Sequence, residues 1–261
     1  MIRLVALDVD GTLLTSDHRV TARVAAEIAR IRARGVEVVL ASSRPPRALW
    51  PILSRLGLVE PAWFVASQGA LVGSFTAEGV LRVRDQQPMP VEPAHQVVRA
   101  ALPAGTSVNW YSGARWLVPA IDAQIATESQ IVGCEPEVAD LLAEDRGPDK
   151  ILLLGPGVGL DPVLGVPEGL VAVASTPTHL EVTRADVDKA EALRHQCRAL
   201  AVGREEIMAM GDGRNDLAML ALAGTAVAPA NADPDVRARA DLVTASNDED
   251  AVAQALAALV P

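Results

Sequence analysis

The sequence predicts an α/β protein, a doubly wound parallel, Rossmann-like core interrupted by an inserted α/β cap. Three observations carry that expectation. Apolar runs of strand length alternate with helical periodicity near both ends of the chain, the alternation stops at the proline-punctuated stretch Pro88, Pro90 and Pro93, and it resumes from Asp186. The expected division is a core of residues 1–85 and 184–261 and a cap of residues 86–183.

The first strand is the run Ile2 to Leu7, apolar but for Arg3 and so suited to a position buried on both faces. Val20, Val24, Ile28 and Ile31 then recur at helical spacing, Gly35 ends the pattern, and Val36 to Ala41 forms a second buried strand. A second helix carries Leu49, Ile52, Leu53 and Leu56 on one face and closes at Gly57. Trp63 to Ala66 is a short third strand, and Leu71-Val72 with Leu81 to Val83 reads as a hairpin extending it, with Gly73 and Gly79 between. In the cap, strands are expected near Ser107–Tyr111, Arg115–Val118, Lys150–Leu154, Leu170–Ala174 and Leu180–Thr183. Beyond Asp186 the pattern gives a helix with Ala192, Leu193 and Leu200, a strand Ile207 to Met210, a helix from Asn215, a strand Thr225 to Ala228 and a final alanine-rich helix.

Composition narrows the function. The chain has 261 residues, half of them hydrophobic, and a formal charge of -10, which together indicate a globular protein and disfavour a nucleic-acid partner. Cys134 and Cys197 stand far apart with no cysteine or histidine cluster near them, so packed thiols are expected rather than a disulfide or a zinc site. No basic leader precedes the first strand and no uninterrupted apolar run reaches about 18 residues, so the expectation is a soluble cytoplasmic protein with no membrane partner. Oligomeric state is not legible.

Chemistry concentrates at three predicted strand ends. Asp8-Val9-Asp10-Gly11-Thr12 follows the first strand, where open parallel sheets keep their ligand sites. Two carboxylates two residues apart, followed by a glycine, suit a magnesium site with a nucleophile beside a general acid/base. The second strand ends in Ala41-Ser42-Ser43-Arg44-Pro45, hydroxyls that can cap the next helix or hold an anion. The strand Ile207–Met210 runs into Gly211-Asp212-Gly213-Arg214-Asn215-Asp216, a turn that adds two carboxylates and an amide. Lys189 lies at a helix start, an unfavourable end for a cation that has no other role. Together, Asp8, Asp10 and Asp212 offer hard oxygen ligands, and Lys189, Ser42 and Asn215 offer donors to phosphoryl oxygens.

With these motifs in this order, the chain resembles the haloacid dehalogenase superfamily, in its Cof-like sugar-phosphatase branch, whose α/β cap is inserted after the third core strand. The resemblance rests on DVDGT at 8–12, ASSRP at 41–45, Lys189 in DVDKAEAL and GDGRNDLAML at 211–220, and it spans essentially the whole chain. It implies that Asp8 is the nucleophile and Asp10 the proton shuttle. It further implies Mg2+ held by the Asp8 carboxylate, the Asp10 backbone carbonyl and Asp212, and phosphate held by Ser42, Ser43, Lys189 and Asn215. Asp216, Thr12 and Arg44 would support these groups. The implied activity is hydrolysis of a small phosphorylated metabolite, a sugar phosphate by family habit, through an aspartyl-phosphate. A phosphomutase and a catalytically silent binding protein of the same fold are the alternatives. The family pattern Thr-Gly-Arg is Ser42-Ser43-Arg44 here, and Asn-Gly-Ala is Gln68-Gly69-Ala70.

The cap is expected to choose the substrate. Trp110, Tyr111, Arg115 and Trp116 form an aromatic cluster whose alternating strand positions suit the cap's own core better than a sugar platform. Lys150 and His179 lie near cap strands and read as surface residues within reach of a polar substrate.

Overall fold

The structure, a computed structural model, describes residues 1–156 and 165–260. Its first segment holds β1 (Leu4–Leu7), α1 (Ala22–Arg32), β2 (Glu37–Ala41), α2 (Pro46–Arg55), β3 (Phe64–Ala66), β4 (Leu71–Phe75) and β5 (Leu81–Gln86). There follow α3 (Val91–Ala101), β6 (Ser107–Ser112), β7 (Arg115–Val118), α4 (Ala123–Val132), β8 (Glu137–Val138), β9 (Lys150–Leu154), β10 (Leu170–Thr176) and β11 (His179–Arg184). The last segment is α5 (Lys189–Ala199), β12 (Ile207–Met210), α6 (Leu217–Leu222), β13 (Thr225–Ala228), α7 (Pro234–Arg237), β14 (Leu242–Val243) and α8 (Ala251–Leu259).

Eight strands form one sheet in the order β14-β13-β12-β1-β2-β3-β4-β5, parallel from β14 to β3 and closed by the antiparallel hairpin β4-β5. Side chains alternate across it. Val5 and Leu7 of β1 face one way, with Val38, Leu40 and Phe64, into a layer made by α1, α2 and α8. Leu4 and Ala6 face the other way, with Val39 and Ala209, onto α5, α6 and Val236 of α7. Two-sided burial explains why β1 reads as an unbroken apolar run, since a polar residue on either face would lose its water without a partner. The α1 helix shows how the periodicity is realised: the Thr21 hydroxyl caps Val24 N–H, and Val24, Ile28 and Ile31 are buried. Truncating Ile28, which is fully buried, to alanine costs about 2 to 5 kcal/mol.

The second sheet has six strands in the order β10-β11-β9-β6-β7-β8, antiparallel except for the short β7-β8 pair. Its α3 face buries Val97, Val98, Trp110, Leu117 and Leu153. On its other face Tyr111, Trp116 and Leu152 pack with Ile125 and Val132 of α4, and Ala48 of α2 joins them, so this layer also meets the first sheet's helices.

Some expectations change. The α5 helix ends at Ala199, so Leu200 is 43 % exposed and Cys197 takes the buried position on that face. Asn215 precedes a helix rather than beginning it, because Arg214–Asp216 is a tight 3-10 turn ahead of α6. The short elements β8, α7 and β14 carry too few residues to show a period. Trp110, Tyr111 and Trp116 are buried cap core, and Arg115 lies outside pairing with Glu137 and Glu144. Lys150 is only 3 % exposed, against the expectation of a surface lysine. Cys197 is buried and Cys134 half-buried, and both thiols are free. Among the described residues, no helix is long and apolar enough to cross a membrane.

Candidate active site

The sheet order creates the site. The chain leaves β1 for β2 and β3 on one side and returns to β12 on the other, so the connections after β1 and β12 lead on to helices on opposite faces of the sheet, with a crevice at the strand ends between them. Asp8 directly follows β1, its N–H still donating to Met210 O at 2.9 Å, and Asp212 lies just beyond β12. The two loops pass so close that a Cβ on Gly11 would stand 2.4 Å from Asp212 Oδ2, and Gly11 has φ +76°. Only glycine meets both conditions. Thr12 Oγ1 donates to Asp212 Oδ1 at 2.9 Å and so fixes that carboxylate's orientation.

Lys189 opens α5, whose cap is Asp188 accepting from Glu191 N–H. Its Nζ reaches across to Asp8 Oδ1 at 2.6 Å and Asp216 Oδ1 at 2.7 Å. The other Asp216 oxygen accepts the N–H groups of Asp212 and Gly213, at 3.1 and 3.0 Å. Asp216 is therefore committed to three donors, and it holds both the lysine and the loop.

The charge balance of this cluster is uneven. Oxygens of Asp8, Asp212 and Asp216 lie within 4.8 Å of one another, with a single ammonium among them. Burial lifts the Asp8 carboxyl well above the usual range, the Asp216 and Asp212 carboxylates add to the rise, and Lys189 opposes it. Burial and Asp216 also raise Asp212, against the Thr12 hydrogen bond. Lys189 moves upward in spite of its burial, because Asp216 and Asp8 favour its charged form. Crowded carboxylates destabilised by burial and by each other fit a divalent cation, and an all-oxygen donor set suits magnesium.

Asp10 stands apart from this cluster. Its carboxylate forms a bidentate pair with Arg44, Nε to Oδ2 at 2.8 Å and Nη2 to Oδ1 at 2.6 Å, and is 41 % exposed. In side chains, the acidic cluster is thus Asp8, Asp212 and Asp216 rather than one that includes Asp10. Ser42 is buried and its hydroxyl accepts Arg44 N–H at 3.1 Å, leaving the hydroxyl proton to donate elsewhere. Ser43 participates through its carbonyl, which accepts from Lys150 Nζ at 2.8 Å. Asn215 is exposed and donates to Gln68 Oε1 at 3.2 Å, while Gln68 Nε2 donates to Glu181 Oε2 at 2.9 Å. Gln68 and Ser67 both have positive φ, and main-chain bonds from Ser67 N to Arg44 O and Gln68 N to Ser42 O hold that unfavourable turn in place. The longer side chain at the family's asparagine position thus ties the β3 loop to the second sheet.

Between the crevice and the second sheet lies a cavity of about 210 Å³, lined among others by Asp10, Arg44, Glu128, Lys150, His179 and Glu181. Lys150 Nζ pairs with Glu181 Oε1 at 3.3 Å and lies over the Tyr111 ring. Glu128 and Glu181 escape sequence reasoning, because an acid on a helix or strand gains meaning only from what folds opposite it.

The chain is similar to known proteins over nearly its whole length. A family model described as haloacid dehalogenase-like hydrolase matches residues 5–256. The Bacillus subtilis protein YxeH is 30 % identical over 270 residues, covering 100 % of this chain and 99 % of its own. The pyridoxal phosphate phosphatase YbhA of Escherichia coli is 29 % identical over 276 residues, covering 97 % of this chain and 96 % of its own. The crystal structure of a haloacid dehalogenase-like hydrolase from Bacteroides thetaiotaomicron superposes with a TM-score of 0.89 at 28 % identity, covering 99 % of this chain and 100 % of that one.

Proposed function

The chain belongs to the haloacid dehalogenase-like hydrolases, and on that premise we propose that it is a magnesium-dependent phosphatase of a small phosphorylated metabolite, a sugar phosphate foremost. The observation that carries the reading is the buried Asp8 carboxylate, held at 2.6 Å by Lys189 and adjoining Asp212 at the crevice. In this reading Asp8 attacks the phosphorus of the ester and becomes an aspartyl-phosphate as the alkoxide leaves. Asp10, aimed by Arg44, protonates that alkoxide and then takes a proton from the water that attacks the phosphorus, which releases phosphate and restores Asp8.

Lys189 and the Ser42 hydroxyl donate to the phosphoryl oxygens, and Asn215 joins them by exchanging Gln68 for the substrate. Asp216 keeps Lys189 charged and in position. Magnesium, carried by the Asp8 and Asp212 carboxylates with the Asp10 carbonyl, would supply positive charge against the transferred group. Residues 1–85 and 184–261 form the catalytic core in this scheme, and residues 86–183 form the cap that selects the leaving group.

Release of inorganic phosphate from p-nitrophenyl phosphate, with and without Mg2+, tests the proposal. Chelation abolishes release, and Asp8→Asn lowers it by about three orders of magnitude or more. A wild-type rate in Asp8→Asn contradicts the assignment. Phosphate moved between two positions of one sugar without net release makes the protein a mutase.

A further inference from the structure

The cavity beside Asp10 holds a carboxylate that has no ion-pair partner among the described residues. Of its charged lining, Asp10 is paired with Arg44 and Glu181 with Lys150, and the His179 ring is hydrogen-bonded to Thr178 Oγ1. Glu128, on α4, remains. Its carboxylate forms no ion pair among the described residues, and it accepts a hydrogen bond from Tyr111 Oη at a long 3.4 Å. Tyr111 stays a neutral donor, since burial and then the Glu128 charge push its hydroxyl well above the ordinary range. Glu128 is half-buried and close enough to Arg44 to favour the guanidinium's charge. An acceptor-only group that shares a cavity with Asp10 faces whatever Asp10 protonates.

We propose that Glu128 is a specificity-determining residue that accepts hydrogen bonds from a hydroxyl or ammonium of the leaving group and excludes leaving groups carrying a second anion. The inference rests on the phosphatase reading above and deepens it. A carboxylate or second phosphate on the leaving group would share the cavity of about 210 Å³ with the half-buried Glu128 carboxylate, where a like charge is screened less than in bulk water. Neither neighbouring cation relieves this, because each already has its own carboxylate. A polyhydroxylated or cationic leaving group brings donors that satisfy the Glu128 oxygens without competing for Arg44 or Lys150.

Glycerol 3-phosphate and 3-phosphoglycerate form a matched pair of nearly equal size, with an uncharged and an anionic leaving group. The wild-type protein with Mg2+ prefers the glycerol ester in kcat/KM by roughly tenfold or more. Glu128→Gln brings the two esters within about threefold of each other, chiefly by lowering KM for the anionic one, and Glu128→Lys reverses the order. A ratio of specificity constants is read only from folded, active enzyme, so partial unfolding of a variant cannot imitate the shift. Equal use of both esters by the wild type, or an unchanged ratio in Glu128→Gln, overturns the proposal and leaves the phosphatase reading standing. Failure of the wild type to release phosphate from either of these esters or from p-nitrophenyl phosphate overturns both.

Discussion

Replacing Lys189 with methionine removes one charge from a place where charges are closely counted. Lys189 and Asp216 are 1 % exposed and Asp8 is 6 % exposed, so water cannot replace the ammonium that now sits 2.6 and 2.7 Å from their oxygens. Removing one partner of a buried pair costs about 3 to 5 kcal/mol, because the remaining charge is left uncompensated. For a chain of this length each kcal/mol moves Tm by about 2 to 4 °C, so the metal-free variant should melt about 6 to 20 °C below the wild type. Magnesium offers an alternative counter-charge: at about one hundred times its Kd, a ligand of the native state adds about 2.7 kcal/mol. Without the ammonium the three carboxylates attract the cation more strongly, so at one Mg2+ concentration the variant gains more than the wild type and the gap should narrow when Mg2+ replaces EDTA, while kcat falls by about 10²- to 10³-fold for want of a donor to the phosphoryl group. Circular dichroism melts in both buffers and phosphate release read these effects. A metal-free melt within about 2 °C of wild type would refute the claim that this lysine neutralises the cluster.

Two further outcomes follow from the same geometry. Thr12→Val removes the hydroxyl that orients Asp212 at 2.9 Å, and a titration of activity against Mg2+ should show a requirement about tenfold higher, with the substrate KM little changed. Asp149 accepts from Gln86 Nε2 and Gly113 N–H, and burial, stronger than both bonds, raises its carboxyl from 3.8 to about 6. The fold thus favours the neutral acid: that contribution is complete below about pH 4 and is lost as pH rises to about 6. Asp149→Asn should flatten the fall in unfolding free energy between those pH values by up to about 3 kcal/mol, as measured by urea denaturation at a series of pH values.

The core was legible because its strands are buried on both faces. Ile207–Met210 and, after its first residue Thr225, the strand Thr225–Ala228 show this in an apolar pattern that ends where the strands end. Two-residue ladders such as Leu242–Val243 carry no period and exist only because β13 lies alongside, so no local pattern announces them. Lys189 is the reverse case. Its position shares the buried face of Ala192 and Leu193, but a charged side chain at the positive end of a helix argues against burial there, and only the acids that fold around it explain its place. Lys150 departs from its sequence expectation for a related reason: strand alternation tells which face a side chain takes, but the occupants of that face, Ser43 and Glu181, come from distant segments. Asp10 and Asp216 show the limit of motif reading. Both acids are recognisable at strand-end loops, and the family resemblance already implies Asp216 as a support for Lys189 or a metal-bound water, but the pairing of Asp10 with Arg44 depends on loops from separate strands meeting at one crevice.

The central claim is that Asp8 carries the phosphoryl group between substrate and water. Rapid acid quench during turnover of a substrate labelled in its phosphate, followed by peptide mapping, tests it most directly. The account predicts label bound covalently to the peptide at Asp8, formed and discharged at rates compatible with turnover and absent from Asp8→Asn. Label on another residue, or steady phosphate release by an enzyme that never becomes labelled under conditions that trap an acyl phosphate, would contradict it.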